Sequence, residues 1–333
     1  MKKAVFALFL LVFACGISFA QRGTQVYIAG YFGDDAIYWH LERSPGTSYF
    51  DHRNRITLPN NGEVYGANAI AVDGSNIHVV GEYSHGDGSQ IPFYFINGER
   101  IYLDYTSFGG PPRTVSNAIA IAGSNVYIAG KDFTDAVYWL NGNRIVLYSP
   151  PGDEYWDPQG NAIAVTGSNV YIAGHIGKTV QYYAVYWLNG NYIVLPKSGQ
   201  FTYANGIAVT GSNVYIAGTD GNDAVYWLNG NRFVLPKTGE KAGANAIAVS
   251  GSNVYIVGFD GNRAVYWHNG NRIALVWEDW VNSIANSIAV AGTDIYIAGQ
   301  IGNGAVYWIN GESQQLQSGT RIPSNALSIV VVE

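Results

Sequence analysis

One stretch of the chain constrains its fold more than any other: Asn205 to Pro236, NGIAVTGSNVYIAGTDGNDAVYWLNGNRFVLP, a unit that recurs from end to end. Within it, four short apolar runs (NGIAV, NVYIAG, AVYWL, RFVLP) alternate with Gly- and Asn-rich turns. Runs of this length, rich in Val, Ile, Tyr and Trp, read as strands and are too short for helices. Asn229-Gly230 suits the positive-φ positions of a tight hairpin, so each unit reads as a four-stranded antiparallel meander, strands A to D from first to last. Helical solenoids have comparable periods but need segments of ten or more residues with helical periodicity, and none is present.

The unit opens at Asn68, Asn117, Asn161, Asn205, Asn245, Asn286 and Asn325, with spacings of 49, 44, 44, 40, 41 and 39. Strand C carries an aromatic at one place: Phe95, Trp139, Trp187, Trp227, Trp267 and Trp308. The two ends complement each other. The chain enters the repeat at a strand B, Gln25-VYIAG, and leaves after a lone strand A, Asn325-ALSIVVV. Three strands from the start and one from the end complete a seventh blade beside six intact ones. The expectation is an all-β fold, a seven-bladed β-propeller closed by this clasp, which leaves no terminal sheet edge open. Small residues on strand A, such as Gly206 and Ala208, suit the crowded axis, and Trp227 suits the wider gap further out.

These units resemble the GSNVYIAG…AVYWLNGN repeats of uncharacterised exported bacterial β-propeller proteins, over residues 24–332. The resemblance implies the propeller fold and carries little about function. The Gly-His and Trp-Asp pairs of WD repeats and the aspartate box of sialidases are missing, as are the Gly-Gly doublets of kelch repeats at a regular place in the unit.

Two domains in sequence follow: a signal peptide at 1–20 and the propeller at 21–333. Lys2-Lys3 and the apolar run Ala4 to Ala14 form the basic and hydrophobic parts of an export signal, too short to span a bilayer, with Ser18-Phe19-Ala20 as cleavage site. Cys15, the only cysteine, offers the alternative of a lipid anchor. No transmembrane segment is expected in the mature chain, which would lie in the periplasm, on the cell surface or outside the cell. A net charge of −6 without basic clusters argues against nucleic acid as partner.

The A–B and C–D turns, which share one face of the disc, are monotonous. The B–C loops and D–A connections, on the opposite or top face, vary. Varied loops on a rigid scaffold are where binding sits. Connections 104–116, 148–160 and 276–285 bring Tyr105, Phe108, Tyr155, Trp156, Trp277 and Trp280 beside Glu154, Asp157, Glu278, Asp279 and Asp153. Aromatic faces with nearby carboxylates suit a glycan or an exposed protein loop, and also suit plain gap-filling between blades. A glycan-active hydrolase or lyase with a carboxylate pair at the channel mouth is the alternative reading. The B–C runs Gly33-Asp34-Asp35, Thr219 to Asp223 and Asp260-Gly261-Asn262 are ordinary turn chemistry rather than calcium loops. His40, His52, His78, His85, His175 and His268 show no metal spacing, and no nucleophile elbow or phosphate loop occurs. No cofactor and no catalytic residue is assigned. The unit-opening asparagines are expected to tie down their own D–A connections, a polar ring at the channel mouth being the other reading. The expanded turn His40 to Arg55 reads as a solvated insertion or a docking loop on the bottom.

Overall fold

The computed structural model describes residues 23–44, 50, 52–59, 64–84, 87–106, 112–150, 156–178, 180–277, 281–316 and 322–333. They form seven four-stranded antiparallel sheets, the blades of a β-propeller. Blade 1 is the expected clasp: Ser324–Val332 pairs with Thr24–Phe32, followed by Asp35–Arg43 and His52–Thr57. The other blades are consecutive meanders whose inner strands begin at Val64, Thr114, Gln159, Thr202, Ala242 and Ser283. Among the described residues no helix is long and apolar enough to cross a membrane.

Seven cores fill the seven gaps between blades. Trp39, Trp139, Trp187, Trp227, Trp267 and Trp308 are all buried, each packed against the preceding blade, as the strand-C pattern anticipated. The indoles of Trp227 and Trp267 also donate to the carbonyls of Pro196 and Pro236 at 2.9 and 2.8 Å, tying the outer wall to the incoming connection.

Every strand A carries a one-residue bulge. The residue that the A–B register skips is Asn68, Asn117, Asn161, Asn205, Asn245 or Asn286. The bulge explains the glycine fixed within every strand B. A Cβ on Gly81, Gly130, Gly174 or Gly218 would collide with the strand-A carbonyl that the bulge brings overhead, and would press on Phe93, Trp139, Trp187 or Trp227 of strand C.

The bulged asparagines correct the sequence reading. Each donates its side-chain amide to a backbone carbonyl of the next blade: Asn68 to Ser116, Asn117 to Gly160, Asn161 to Ala204, Asn205 to Ala244, Asn245 to Ala285 and Asn286 to Ala326, at 2.9–3.1 Å. They stitch blade to blade rather than holding their own connections. Asn325 is not the seventh member. The skipped residue in blade 1 is Leu327, two positions later, so one seam of the ring has no asparagine.

The bottom face is as uniform as its sequence. Asn97, Asn141, Asn189, Asn229, Asn269 and Asn310 all have φ of 50–52°, each followed by a positive-φ glycine, as a type I′ hairpin turn requires. Their side-chain amides reach the A–B turn, at Asn76, Asn125, Asn169, Asn213, Asn253 and Asp294, at 2.8–3.0 Å. One amide thus clips two hairpins together. The expanded turn lies partly outside the described residues. Two of its described residues pack against blade 7, Arg43 on Asp294 at 2.9 Å and buried Phe50 edge-on to Tyr307 at 5.9 Å.

Candidate functional site

The top face is uneven because the B–C hairpins differ in height. In blades 1, 3, 5, 6 and 7 the B–C ladder ends two residues past the fixed glycine, at Phe32, Asp132, Asp220, Asp260 and Ile301. In blade 2 it runs to Ser84↔Gln90 and in blade 4 to Lys178↔Gln181. At about 3.3 Å per residue, blade 4 stands some two residues above its neighbours. Blade 3 therefore lies in a trough between two taller hairpins. Connections 104–116 and 148–160, two of the three singled out in the sequence, enter blades 3 and 4 at this trough. Connection 276–285 leads into blade 7, on the other side of the mouth.

The residue directly after the fixed glycine of strand B stands at the inner end of this relief. Around the ring it is Tyr31, Glu82, Lys131, His175, Thr219, Phe259 and Gln300. The carboxyl, ammonium and imidazole members occupy three consecutive blades, 2, 3 and 4. Glu82 accepts a hydrogen bond from Asn68, the same amide that stitches to Ser116. Burial outweighs that hydrogen bond and pushes the Glu82 carboxyl up to about 7. Lys131 is ion-paired with Asp157, whose backbone N–H donates to the Gly177 carbonyl at 3.0 Å. His175 is buried, edge-on to the rings of Tyr182 and Tyr203 at 5.3 and 5.0 Å. Burial drives its pKa down to about 4, against the pull of the Asp157 carboxylate and with a further push from the Lys131 ammonium. The imidazole is neutral at pH 7. One arc of the mouth thus presents a carboxyl that titrates near pH 7, an ion pair and a neutral histidine.

This position was not singled out from the sequence. Its signal was there, since a residue that changes identity after seven near-identical strands is not serving the blade.

Of the residues named in advance, Tyr105, Trp156, Asp157 and Trp277 are described. Phe108, Tyr155, Trp280, Glu154, Glu278 and Asp279 lie outside the described residues. Trp156 is half-buried, with the Lys178 ammonium 5.4 Å above its ring and Tyr148 tilted against it at 6.0 Å. Trp277 is 76% exposed and Tyr105 is 41% exposed. Around the trough, Phe133, Val180 and Phe201 also expose large apolar surface. Trp156 and Asp157 come together on blade 4's hairpin. Trp277 stands apart from them, as the blade count anticipated.

The B–C carboxylates serve the fold. Asp220 accepts from the backbone N–H groups of Ser198 and Gly199, the hydroxyls of Ser198 and Thr202, and Arg232. Asp260 repeats the arrangement with Thr238, Gly239 and Arg272, and Asp132 pairs with Thr106, Thr114 and Arg144. Burial raises the Asp220 and Asp260 carboxyls, but these donors outweigh it and hold both below the usual range. Where the aspartate is absent, its arginine partner changes role. Arg55 and Arg100 lie over the rings of Phe32 and Tyr83 at 4.3 and 4.9 Å.

Neither a protein-family model nor a curated relative matches the chain. Among solved structures, the computationally designed Ika8 protein is similar at 13% identity and TM-score 0.46, covering 92% of this chain and 90% of that one. A chain of a nidogen–laminin complex is similar at 16% identity and TM-score 0.44, covering 74% of this chain and 89% of its own length.

Proposed function

We propose that this is an exported, non-catalytic binding propeller, kin to the bacterial repeat proteins it resembles, that recognises a protein or glycan through the top of blades 2 to 4. One observation carries the reading: the relief, the titratable arc and most of the exposed top-face apolar side chains coincide at one trough, whereas the bottom repeats one clip around the ring. A rigid disc whose relief, charge and exposed apolar side chains converge at one place is suited to bind there. The carboxylates of Asp132, Asp220 and Asp260 are taken up by the fold, so the carboxyls left to meet a ligand at the trough are Glu82 and Asp157. Export rests on the leader-like residues 1–20.

A glycan array combined with a pull-down from the native envelope tests this, followed by hydrogen-exchange footprinting of the ligand found. Protection is expected at 82–92, 131–135 and 156–183. Protection confined to the bottom turns, or turnover of the bound glycan, overturns it.

A further inference from the structure

The outer strand D of each blade has an unpaired edge, and the seven edges are not alike. The residue that pairs with the strand-C aromatic is Arg55, Arg100, Arg144, Arg232 and Arg272 in blades 1, 2, 3, 5 and 6. In blade 4 it is Tyr192 and in blade 7 Ser313. Blade 7 still carries Glu312 on its edge strand, Glu312–Gln315. The edge strand of blade 4, Asn191–Val194, has the sequence NYIV and holds no charge. Charge on an edge strand is a common protection against edge-to-edge pairing, and here alone it is missing.

The same edge is apolar and open. Tyr192, Ile193 and Val194 are 48%, 41% and 49% exposed. It is flanked at the same height by Val146 on blade 3 and by Phe233 and Val234 on blade 5, all exposed. The rim exposes apolar side chains at these positions on four adjacent blades, from Ile101 and Tyr102 on blade 2 to Phe233 and Val234 on blade 5, and the uncharged strand lies among them. On blade 7 the matching positions are Gln314 and Gln315.

We propose that this protein forms a two-fold dimer in which Asn191–Val194 pairs antiparallel with its copy, joining two blades into one eight-stranded sheet. A second copy is the occupant that the charge pattern favours. A two-fold contact sets a strand against itself, so any charge on it, or the ion pair that holds it as at Arg144, Arg232 and Arg272, is carried twice into one short ladder and desolvated there. The edge of blade 4 carries no such cost. The strand is four residues long, so the ladder sets register and the flanking valines and Phe233 bury the apolar area. The Asn189-Gly190 turn and Pro196 bound the pairing at its two ends.

Sedimentation velocity of the purified protein across a concentration series tests this, with two variants. Tyr192→Arg installs the residue that five other blades carry, and Ile193→Lys puts a charge beside it. The wild type should dimerise reversibly. Both variants should keep the wild-type melting curve and raise the dimer dissociation constant by about tenfold or more. A wild type that stays monomeric throughout overturns the proposal, as does a dimer that survives both variants unchanged. Should one variant melt early, the other decides. Dimerisation lies on the rim, so its failure leaves the top-face reading intact.

Discussion

The side-chain amide of Asn286 donates to the carbonyl of Ala326 at 2.9 Å, and so ties the last complete repeat to the C-terminal strand that closes blade 1. Five other asparagines make the same contact at the preceding seams. The clasp is thus held on one side as every other blade is held. On its other side, facing blade 2, Leu327 stands in the asparagine position and offers no amide to Ala67.

Leu327→Asn should complete the ring. The new amide meets a carbonyl placed as in the other six seams, and the side chain replaced is only half-buried. A gain of about 0.5–1.5 kcal/mol is expected, read as a higher urea midpoint at unchanged slope. Asn205→Ala is the converse, leaving the carbonyl of buried Ala244 without its donor. It should cost about 1–2 kcal/mol. Equal and negligible effects from both would mean that the ring is not what holds the seams.

Phe133 has a φ of 57° at the B–C turn, where Gly33, Gly221, Gly261 and Gly302 have 57–64°. Its N–H bonds to the Arg113 carbonyl as theirs bond to the matching connections, so the turn imposes the backbone whatever the residue. A bulky side chain pays about 1 kcal/mol or more there. Phe133→Gly should raise stability by roughly that amount and weaken ligand binding. A phenylalanine held at positive φ and 38% exposed on the trough floor is where contact with a ligand would offset the strain. Loss of stability in the glycine variant would show that the ring's packing outweighs the strain.

The blade count, the strand-C tryptophans, the clasp and the Asn-Gly turns were all legible because each depends on local pattern: strand length, apolar identity, turn chemistry. The asparagine ring was misread by two residues at its last member. Asn325-Ala326 imitates the Asn-Ala that opens other repeats, and only the A–B register reveals that Leu327 is the bulged residue. The partner of each amide lies one blade away, a distance that no local pattern encodes. Glu82, Lys131 and His175 were passed over for a related reason. Each looks like a lone substitution in its own repeat, and their grouping follows only from the circular order of the blades.

Glu82 and His175 oppose each other in their effect on stability. Glu82 titrates near 7 in the fold and near 4.5 unfolded, so the native state holds the extra proton between those values and stability falls as pH rises. His175 titrates near 4 in the fold and near 6.5 unfolded, so between those values the unfolded state holds the proton and stability rises with pH. From pH 4.5 to 6.5 the slopes offset, and the wild type should show a flat profile. Glu82→Gln should leave a stability that rises with pH up to about 6.5. His175→Gln should leave one that falls from about pH 4.5 to 7. Below pH 4 all three proteins should lose stability together, as the depressed Asp220 and Asp260 carboxyls take up protons and release their donors. Parallel profiles above pH 4.5 would remove both groups from the pH dependence.

Trp156 and Trp277 are the two described tryptophans of the top face, and their surroundings predict different behaviour. Trp156 anchors connection 148–160 to blade 4, through an isolated bridge to Lys178 and ring contacts with Lys178 and Tyr148. Trp156→Ala should lower stability by about 1–2 kcal/mol and loosen the taller hairpin as well as any ligand contact. Trp277, at 76% exposed, contributes little to the fold. Trp277→Ala should leave the melting curve unchanged, so its effect on binding is free of folding losses. If the ligand is large enough to cross the mouth from the trough over blade 3 to blade 7, this variant should weaken it by about tenfold or more, as removal of an exposed aromatic anchor does. If binding is untouched by Trp277→Ala yet weakened by Phe133→Gly, the ligand is confined to the trough. If neither change matters, the top face is not the binding surface.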